Sequence, residues 1–84
     1  MASIVIYVLI RKVQNSETDS HVNYTYGPSE DRMGELRISK SDGAIDVVTQ
    51  VPGTTNDPYT PRAKRKLFVH WQNGRFPDKT CWAS

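Results

Sequence analysis

The sequence predicts one α+β domain spanning residues 1–84, in which an antiparallel four-stranded meander is followed by one helix packed on it and a short apolar tail. Two patterns support this prediction. Apolar residues alternate with polar ones between short connections, as is typical of antiparallel strands. A capped segment follows, with helix start and stop signals. A chain of this length buries only a little over half of the surface that its unfolded form exposes, so its stability must come from packing or partly from a partner.

The first predicted strand, at about residues 4–13, contains a continuous β-branched and aromatic run, Ile4–Ile10. Such a run is typical of a strand that is buried on both faces, often a central one. It is too short for a membrane span and lacks the basic segment that precedes a signal sequence. We therefore expect a cytoplasmic protein, which agrees with the presence of a single cysteine, Cys81.

Three further strands are predicted at about residues 21–27, 34–40 and 44–51, where apolar and polar residues alternate. Ser41-Asp42-Gly43 joins the last two strands and is a tight-turn signal, because Gly43 is free to adopt a positive φ. These two strands are therefore expected to form a hairpin.

The helix is predicted at about residues 61–73. Thr60 is the expected N-cap and Pro61 the first helical residue, a position where proline loses no hydrogen bond. Gly74 is expected to end the helix in the left-handed conformation. Four residues fall on one arc of about 100° that should face the sheet, namely Ala63, Leu67, His70 and Trp71.

The tail at residues 75–84 contains Phe76 and Trp82, which makes it too apolar to remain in solvent. We expect it to fold back over the helix or over an edge of the sheet.

Positive charge is concentrated in the predicted helix and tail. The net charge is −3 over residues 1–60 and +5 over residues 61–84. Cations in the first turns of a helix oppose its macrodipole, at a cost of about 0.3–1 kcal/mol each. The cations there are either solvated, with Asp57 or sheet glutamates as ion-pair partners, or they meet phosphate or an acidic protein surface.

Phe68 and Val69 lie outside the arc that should face the sheet. They are either covered by the tail or available as apolar anchors for a partner, surrounded by charge. An acidic loop at Glu30-Asp31 could form a second patch. The predicted partner-binding residues are Arg62, Lys64, Arg65, Lys66, Phe68, Gln72, Glu30 and Asp31.

No sequence motif predicts catalytic residues, a cofactor or a metal site. His21 is expected at the surface of an edge-like strand, and His70 on the sheet-facing side of the helix. One enzyme hypothesis remains, in which the tail folds back and His70 acts as the base for a Cys81 nucleophile.

Three segments resemble small bacterial immunity proteins, which are encoded beside contact-dependent growth-inhibition toxins and other polymorphic toxins. The segments are Tyr24–Pro28, Gly34–Leu36 and Trp71–Pro77. The resemblance implies a cytoplasmic protein that binds one cognate toxin and blocks its active site or its activation. It assigns no role to any single residue.

The first hypothesis is therefore a non-catalytic protein-binding module, an immunity or antitoxin-like inhibitor that uses its basic helix for electrostatic steering. The alternative is a small nucleic-acid-binding domain that places the helix at residues 61–73 against phosphates. No membrane partner is expected, and a homodimer is left open.

Overall fold

The computed structural model describes residues 6–53 and 56–83, which form one five-stranded antiparallel sheet and one helix. The strands are β1 (Tyr7–Lys12), β2 (His21–Ser29), β3 (Arg32–Ser39), β4 (Ile45–Thr49) and β5 (Lys79–Ala83), and the helix is α1 (Tyr59–Gln72). The sheet order is β4-β3-β2-β1-β5. The α+β class is confirmed, but a fifth strand follows the helix. In the described part of the chain, no helix is long and apolar enough to cross a membrane.

The meander from β1 to β4 is confirmed, because each of these strands pairs with the next one along the chain. The predicted turn between β3 and β4 is also present. Gly43 has a φ of 74°, and its N–H donates to the carbonyl of Ser39 at 2.9 Å. The Asp42 carboxylate accepts a hydrogen bond from the Ala44 N–H at 3.0 Å.

Strand β1 lies between β2 and β5, so its predicted interior position is confirmed. The expectation that it is buried on both faces is wrong. Val8 and Ile10 are fully buried, whereas Tyr7 on the other face is 45% exposed. The reason is that α1 packs against one face of the sheet only. Ile4 and Val5, with which the predicted strand began, lie outside the described residues.

The tail does fold back onto an edge of the sheet, and it does so as a strand. In β5, Trp82 lies opposite Val8 and Thr80 opposite Ile10. Just before β5, the Asp78 carbonyl accepts a hydrogen bond from the Lys12 N–H at 2.8 Å. Trp82 packs against the core, as does Phe76.

The core lies between α1 and the sheet. Its two largest side chains, Tyr24 and Tyr26, are fully buried. Each keeps its hydroxyl hydrogen-bonded, which removes the penalty of burying a polar group: Tyr24 donates to the Pro77 carbonyl at 2.8 Å, and Tyr26 lies 2.6 Å from the Thr60 hydroxyl. The buried apolar residues of the described chain are Val8, Ile10, Val22, Tyr24, Tyr26, Leu36, Ile38, Val51, Ala63 and Leu67.

The start of α1 differs from the prediction. Thr60 is not the N-cap, because the helix begins at Tyr59 after Pro58. The Asp57 carboxylate accepts hydrogen bonds from the N–H groups of Tyr59, at 2.8 Å, and of Thr60, at 3.2 Å. The Thr60 hydroxyl also donates to Asp57. A carboxylate one residue before the proline therefore takes the capping role.

The end of α1 agrees with the prediction. Gly74 has a φ of 68°, and its N–H donates to the Trp71 carbonyl at 2.9 Å. The N–H of Arg75 donates to the His70 carbonyl at 2.9 Å. This pair of hydrogen bonds is a Schellman motif, which satisfies carbonyls at the helix end.

The sheet-facing side of α1 contains the predicted residues. Ala63 and Leu67 are buried, and His70 and Trp71 flank them with half-buried side chains. The Trp71 indole N–H donates to the Lys40 carbonyl at 2.9 Å. A Cβ at Gly43 would lie 2.7 Å from the indole ring, so the turn between β3 and β4 fits against the helix only with glycine at this position.

Candidate protein-binding surface

Helix α1 covers the two edges of the sheet unequally. On the β5 side, His70 Nε2 lies 3.4 Å from the Thr80 hydroxyl, so helix and strand are in contact. On the β4 side, α1 and β4 also touch, and a shallow, open groove of about 400 Å³ runs along their contact. We call it the α1–β4 groove; it is lined by Gly43, Ile45, Pro61, Lys64, Arg65 and Phe68.

The sheet side of the α1–β4 groove is apolar. Ile45 lines it, and Val47 shares the same sheet face because it lies opposite the fully buried Leu36. Val47 is nevertheless 37% exposed, and Val48 is 50% exposed. Val48 is the extra residue of a β-bulge against Glu35 and Leu36. Strand β4 therefore presents valines that the helix leaves uncovered.

The helix side of the groove contains an aromatic ring. Phe68 is 37% exposed and stacks on Trp71 with the ring centroids 5.4 Å apart. Val69 is 40% exposed but does not line the groove. Cover by the tail, one of the two alternatives for Phe68 and Val69, is wrong, because the tail pairs with β1 at the opposite edge of the sheet.

The cations of α1 fall into three positions. Lys64 and Arg65 line the groove. Arg62 donates from Nη1 to the Pro58 carbonyl at 2.8 Å, which holds it against the start of the helix. Lys66 lies on the other flank, near His70; burial first, and then Lys66 and Arg75, lower the pKa of that imidazole.

The predicted ion pairs for these cations are not formed. Within residues 6–53 and 56–83, no carboxylate makes a salt bridge with Lys64, Arg65 or Lys66. The Asp57 carboxylate is already hydrogen-bonded to the first residues of α1. Burial tends to raise its pKa, but the hydrogen bonds from Thr60 and from the helix N–H groups outweigh burial and hold the pKa below its ordinary value. Its negative charge offsets part of the unfavourable dipole interaction of the cations.

The remaining predicted residues lie elsewhere. Glu30 forms an ion pair with Arg11 of β1, and Asp31 is exposed in the turn between β2 and β3. Gln72 borders a separate cleft beside Trp71 at the other end of the helix. The structure therefore brings Lys64, Arg65 and Phe68 together, and it does not bring the acidic loop to them.

The geometry excludes His70 as the base for a Cys81 nucleophile. Cys81 lies opposite Leu9 and Thr80 opposite Ile10, and consecutive residues of a strand point to opposite faces. Because His70 contacts Thr80, Cys81 faces away from it. Across the described chain, no three His, Cys, Asp or Glu side chains converge as metal ligands.

The strand that carries His21 differs from its prediction. His21 lies on β2, which is an interior strand, and it is half-buried. Its Nδ1 lies 3.2 Å from the hydroxyl of Ser20. This contact gives the imidazole a local polar partner and leaves it away from the α1–β4 groove.

The contribution of β4 to this surface was not predicted from the sequence, although one signal for it was present. Val47 and Val48 are adjacent valines in a strand that otherwise alternates, and a break in alternation is typical of a bulge.

No protein-family profile, no curated protein and no solved structure matches this chain.

Proposed function

We propose that this chain is a non-catalytic protein-binding module, an immunity-like inhibitor of one cognate toxin that binds through the α1 surface around Phe68. One observation carries the proposal. An exposed aromatic ring lies beside Lys64 and Arg65, which have no salt bridge within the described chain, at the rim of an apolar groove. Binding hot spots combine such an anchor with a charged rim.

The cations determine the character of the partner. Lys64 and Arg65 attract an acidic protein surface and raise the rate of association, while Phe68 supplies contact area that becomes buried in the complex. A nucleic acid would use the same cations and would stack a base on Phe68, but it would leave the apolar side chains of Ile45 and Val47 on β4 uncovered. The groove therefore favours a protein over the nucleic-acid alternative.

The proposal is tested by growth rescue. The gene beside this one should encode a long secreted protein with a variable C-terminal toxin domain. Expression of that domain should stop growth, and co-expression of this chain should restore it. The double variant Lys64→Glu/Arg65→Glu should lose most of the growth rescue. The single variant Phe68→Ala should do the same. Val69→Ala is the matched control because Val69 is equally exposed but lies outside the groove.

Failure of the unmodified chain to rescue growth, or to bind the purified toxin domain, would overturn the proposal. The nucleic-acid alternative is tested by fluorescence anisotropy with labelled single-stranded RNA and duplex DNA at low and moderate salt. Phosphate binding weakens steeply with salt and depends on every cation of the surface. Equal losses for Lys64→Glu, Arg65→Glu and Lys66→Glu would support a nucleic-acid partner instead.

A further inference from the structure

We propose that the partner adds an extended acidic segment to the open edge of β4 as a sixth strand, with its apolar side chains in the α1–β4 groove. This inference rests on the proposed protein-binding function and specifies how the partner is held. Three features support it: the exposed edge, the apolar groove beside it and the charge at the rim.

The open edge of β4 offers backbone N–H and C=O groups to another strand. Among the described residues, β4 pairs only with β3, so one side of its backbone is open to another strand. Edge strands are commonly protected by lysine, proline, short length or a bulge. Strand β4 has no lysine or proline, but it is short, it is bulged at Val48, and it carries Asp46 on the face away from the helix, whereas the opposite edge, β5, begins with Lys79. The regular part of the open edge, residues 45–47, is therefore the part beside the groove that can pair with another strand.

The groove accommodates the side chains of an added strand. Alternate residues of a strand point to one face, so every second residue of the segment would lie on the helix side of the sheet. There it would meet Val47 and Ile45 from β4 and Phe68 from α1. Burial of the partly exposed valine and phenylalanine is the apolar contribution to binding. Strand addition of this kind combines backbone hydrogen bonds with side-chain pockets.

The charge at the rim selects an acidic segment over a second copy of this chain. The ionised residues that line the groove are Lys64 and Arg65, both cationic. Asp42 adjoins it at Gly43, where its carboxylate is hydrogen-bonded to the Ala44 N–H. An antiparallel β4–β4 dimer would bring Lys64 and Arg65 of both copies to the same face of the joined sheet, where like charges repel.

The experiment uses the intact protein and three labelled ten-residue peptides. In the first, the alternate positions that face the helix carry valine at the centre and glutamate on both sides of it, so that the acids lie on the same face as Lys64 and Arg65, and the remaining positions carry threonine. The second replaces each glutamate by lysine, and the third is the first with the alternate backbone amides that would face β4 N-methylated. Fluorescence anisotropy and amide chemical shifts of the ¹⁵N-labelled protein report binding. The acidic peptide should bind with shifts centred on β4, and the other two peptides should bind at least about tenfold more weakly, a difference of about 1.4 kcal/mol.

Variants of the protein locate the site. Val47→Lys and the double variant Lys64→Glu/Arg65→Glu should each weaken binding of the acidic peptide by about tenfold or more. Val69→Lys and Lys66→Glu are the controls, since neither position lines the groove, and they should leave binding within about twofold. Because Val47 is partly exposed, Val47→Lys should keep the circular dichroism spectrum and cooperative melting of the unmodified chain.

Several results would overturn strand addition. They are no binding of the acidic peptide at millimolar concentration, binding that is indifferent to N-methylation, and shifts centred on β5. A protein dimer that Val47→Lys dissociates would identify a second copy as the occupant. Growth rescue that survives Val47→Lys but is lost with Lys64→Glu/Arg65→Glu would reject the sixth strand and retain the proposed function. Failure of the unmodified chain in the rescue assay would reject the proposed function itself.

Discussion

The two edges of the sheet are built differently although one helix packs beside both. At the β5 edge, His70 contacts Thr80, and Trp82 packs against the core. At the β4 edge, Val47 and Val48 remain partly exposed beside an open groove. A small domain gains stability by covering apolar surface, so uncovered valines at one edge indicate a surface that stability does not explain. The substitutions below test whether residues in the core stabilise the fold while residues at the β4 edge contribute little to stability and remain available for binding.

The largest expected effect is the loss of a core tyrosine. Tyr24→Ala removes a fully buried ring and its hydrogen bond to Pro77, which should reduce the free energy of unfolding by about 3–5 kcal/mol. Phe68→Ala at the groove should reduce it by about 1–2 kcal/mol, because the ring is partly exposed but stacks on Trp71. Urea denaturation measures both. Equal losses at the two positions would show that Phe68 belongs to the core.

A matched pair of valines sharpens the comparison. Val8 of β1 is fully buried and Val47 of β4 is 37% exposed. Val8→Ala should reduce the free energy of unfolding by about 2 kcal/mol, because two methyl-sized groups and their packing are lost. Val47→Ala should reduce it by about 0.5 kcal/mol or less. A loss at Val47 close to that at Val8 would contradict the uncovered edge.

Removal of the helix cap should have an intermediate effect. Asp57→Ala deletes the acceptor for the N–H groups of Tyr59 and Thr60, and it should reduce the free energy of unfolding by about 1 kcal/mol. Asp31→Ala is the control, because Asp31 is exposed in a turn, and it should change stability by less than about 0.5 kcal/mol. Thermal melts compare the two variants. An unchanged melting temperature for Asp57→Ala would mean that the helix is capped in another way.

The smallest expected effect depends on pH. Hydrogen bonds from Lys12 first, and then from Lys40, lower the pKa of Glu17 from 4.5 to about 2. A lowered carboxyl pKa adds stability above pH 4.5, and this contribution is lost as the pH falls from 4.5 toward 2. Because the side chain is 39% exposed, solvent screening limits the effect to below about 1 kcal/mol.

The Glu17→Gln variant isolates this contribution. Its melting temperature should be lower than that of the unmodified chain at neutral pH, because the amide oxygen still accepts a hydrogen bond but the neutral side chain forms no ion pair with Lys12 and Lys40. The difference should shrink as the pH falls through the window from 4.5 to about 2. A difference that stays constant across the window would show that Glu17 acts through packing instead of charge.

Local sequence signals predicted the meander and the end of the helix because each depends on neighbouring residues. Gly43 and Gly74 have the positive φ that their positions require. The fifth strand depends on a distant partner, since Lys79–Ala83 has polar residues and becomes a strand by pairing with β1. Similarly, the run at β1 could not reveal that only one face is covered, because that depends on where α1 packs.

The binding surface was predicted in part for the same reason. Lys64, Arg65 and Phe68 share one flank of a helix, so helical periodicity placed them together. Ile45 and Val47 join them only because β4 is an edge strand, which is a property of the whole sheet. Glu30 was predicted to belong to a second, acidic patch from its charge alone, and its ion pair with Arg11 uses that charge at the sheet.

The pairing of β1 with β5 has a consequence for synthesis in the cell. Tyr7 lies opposite Ala83, so β1 receives its second neighbour only after residue 83 has been added to the chain. Until then, β1 is an open apolar edge on the ribosome-bound chain, and contacts between such distant residues form slowly. During translation this intermediate is open to association with other nascent chains, and completion of β5 removes that exposure.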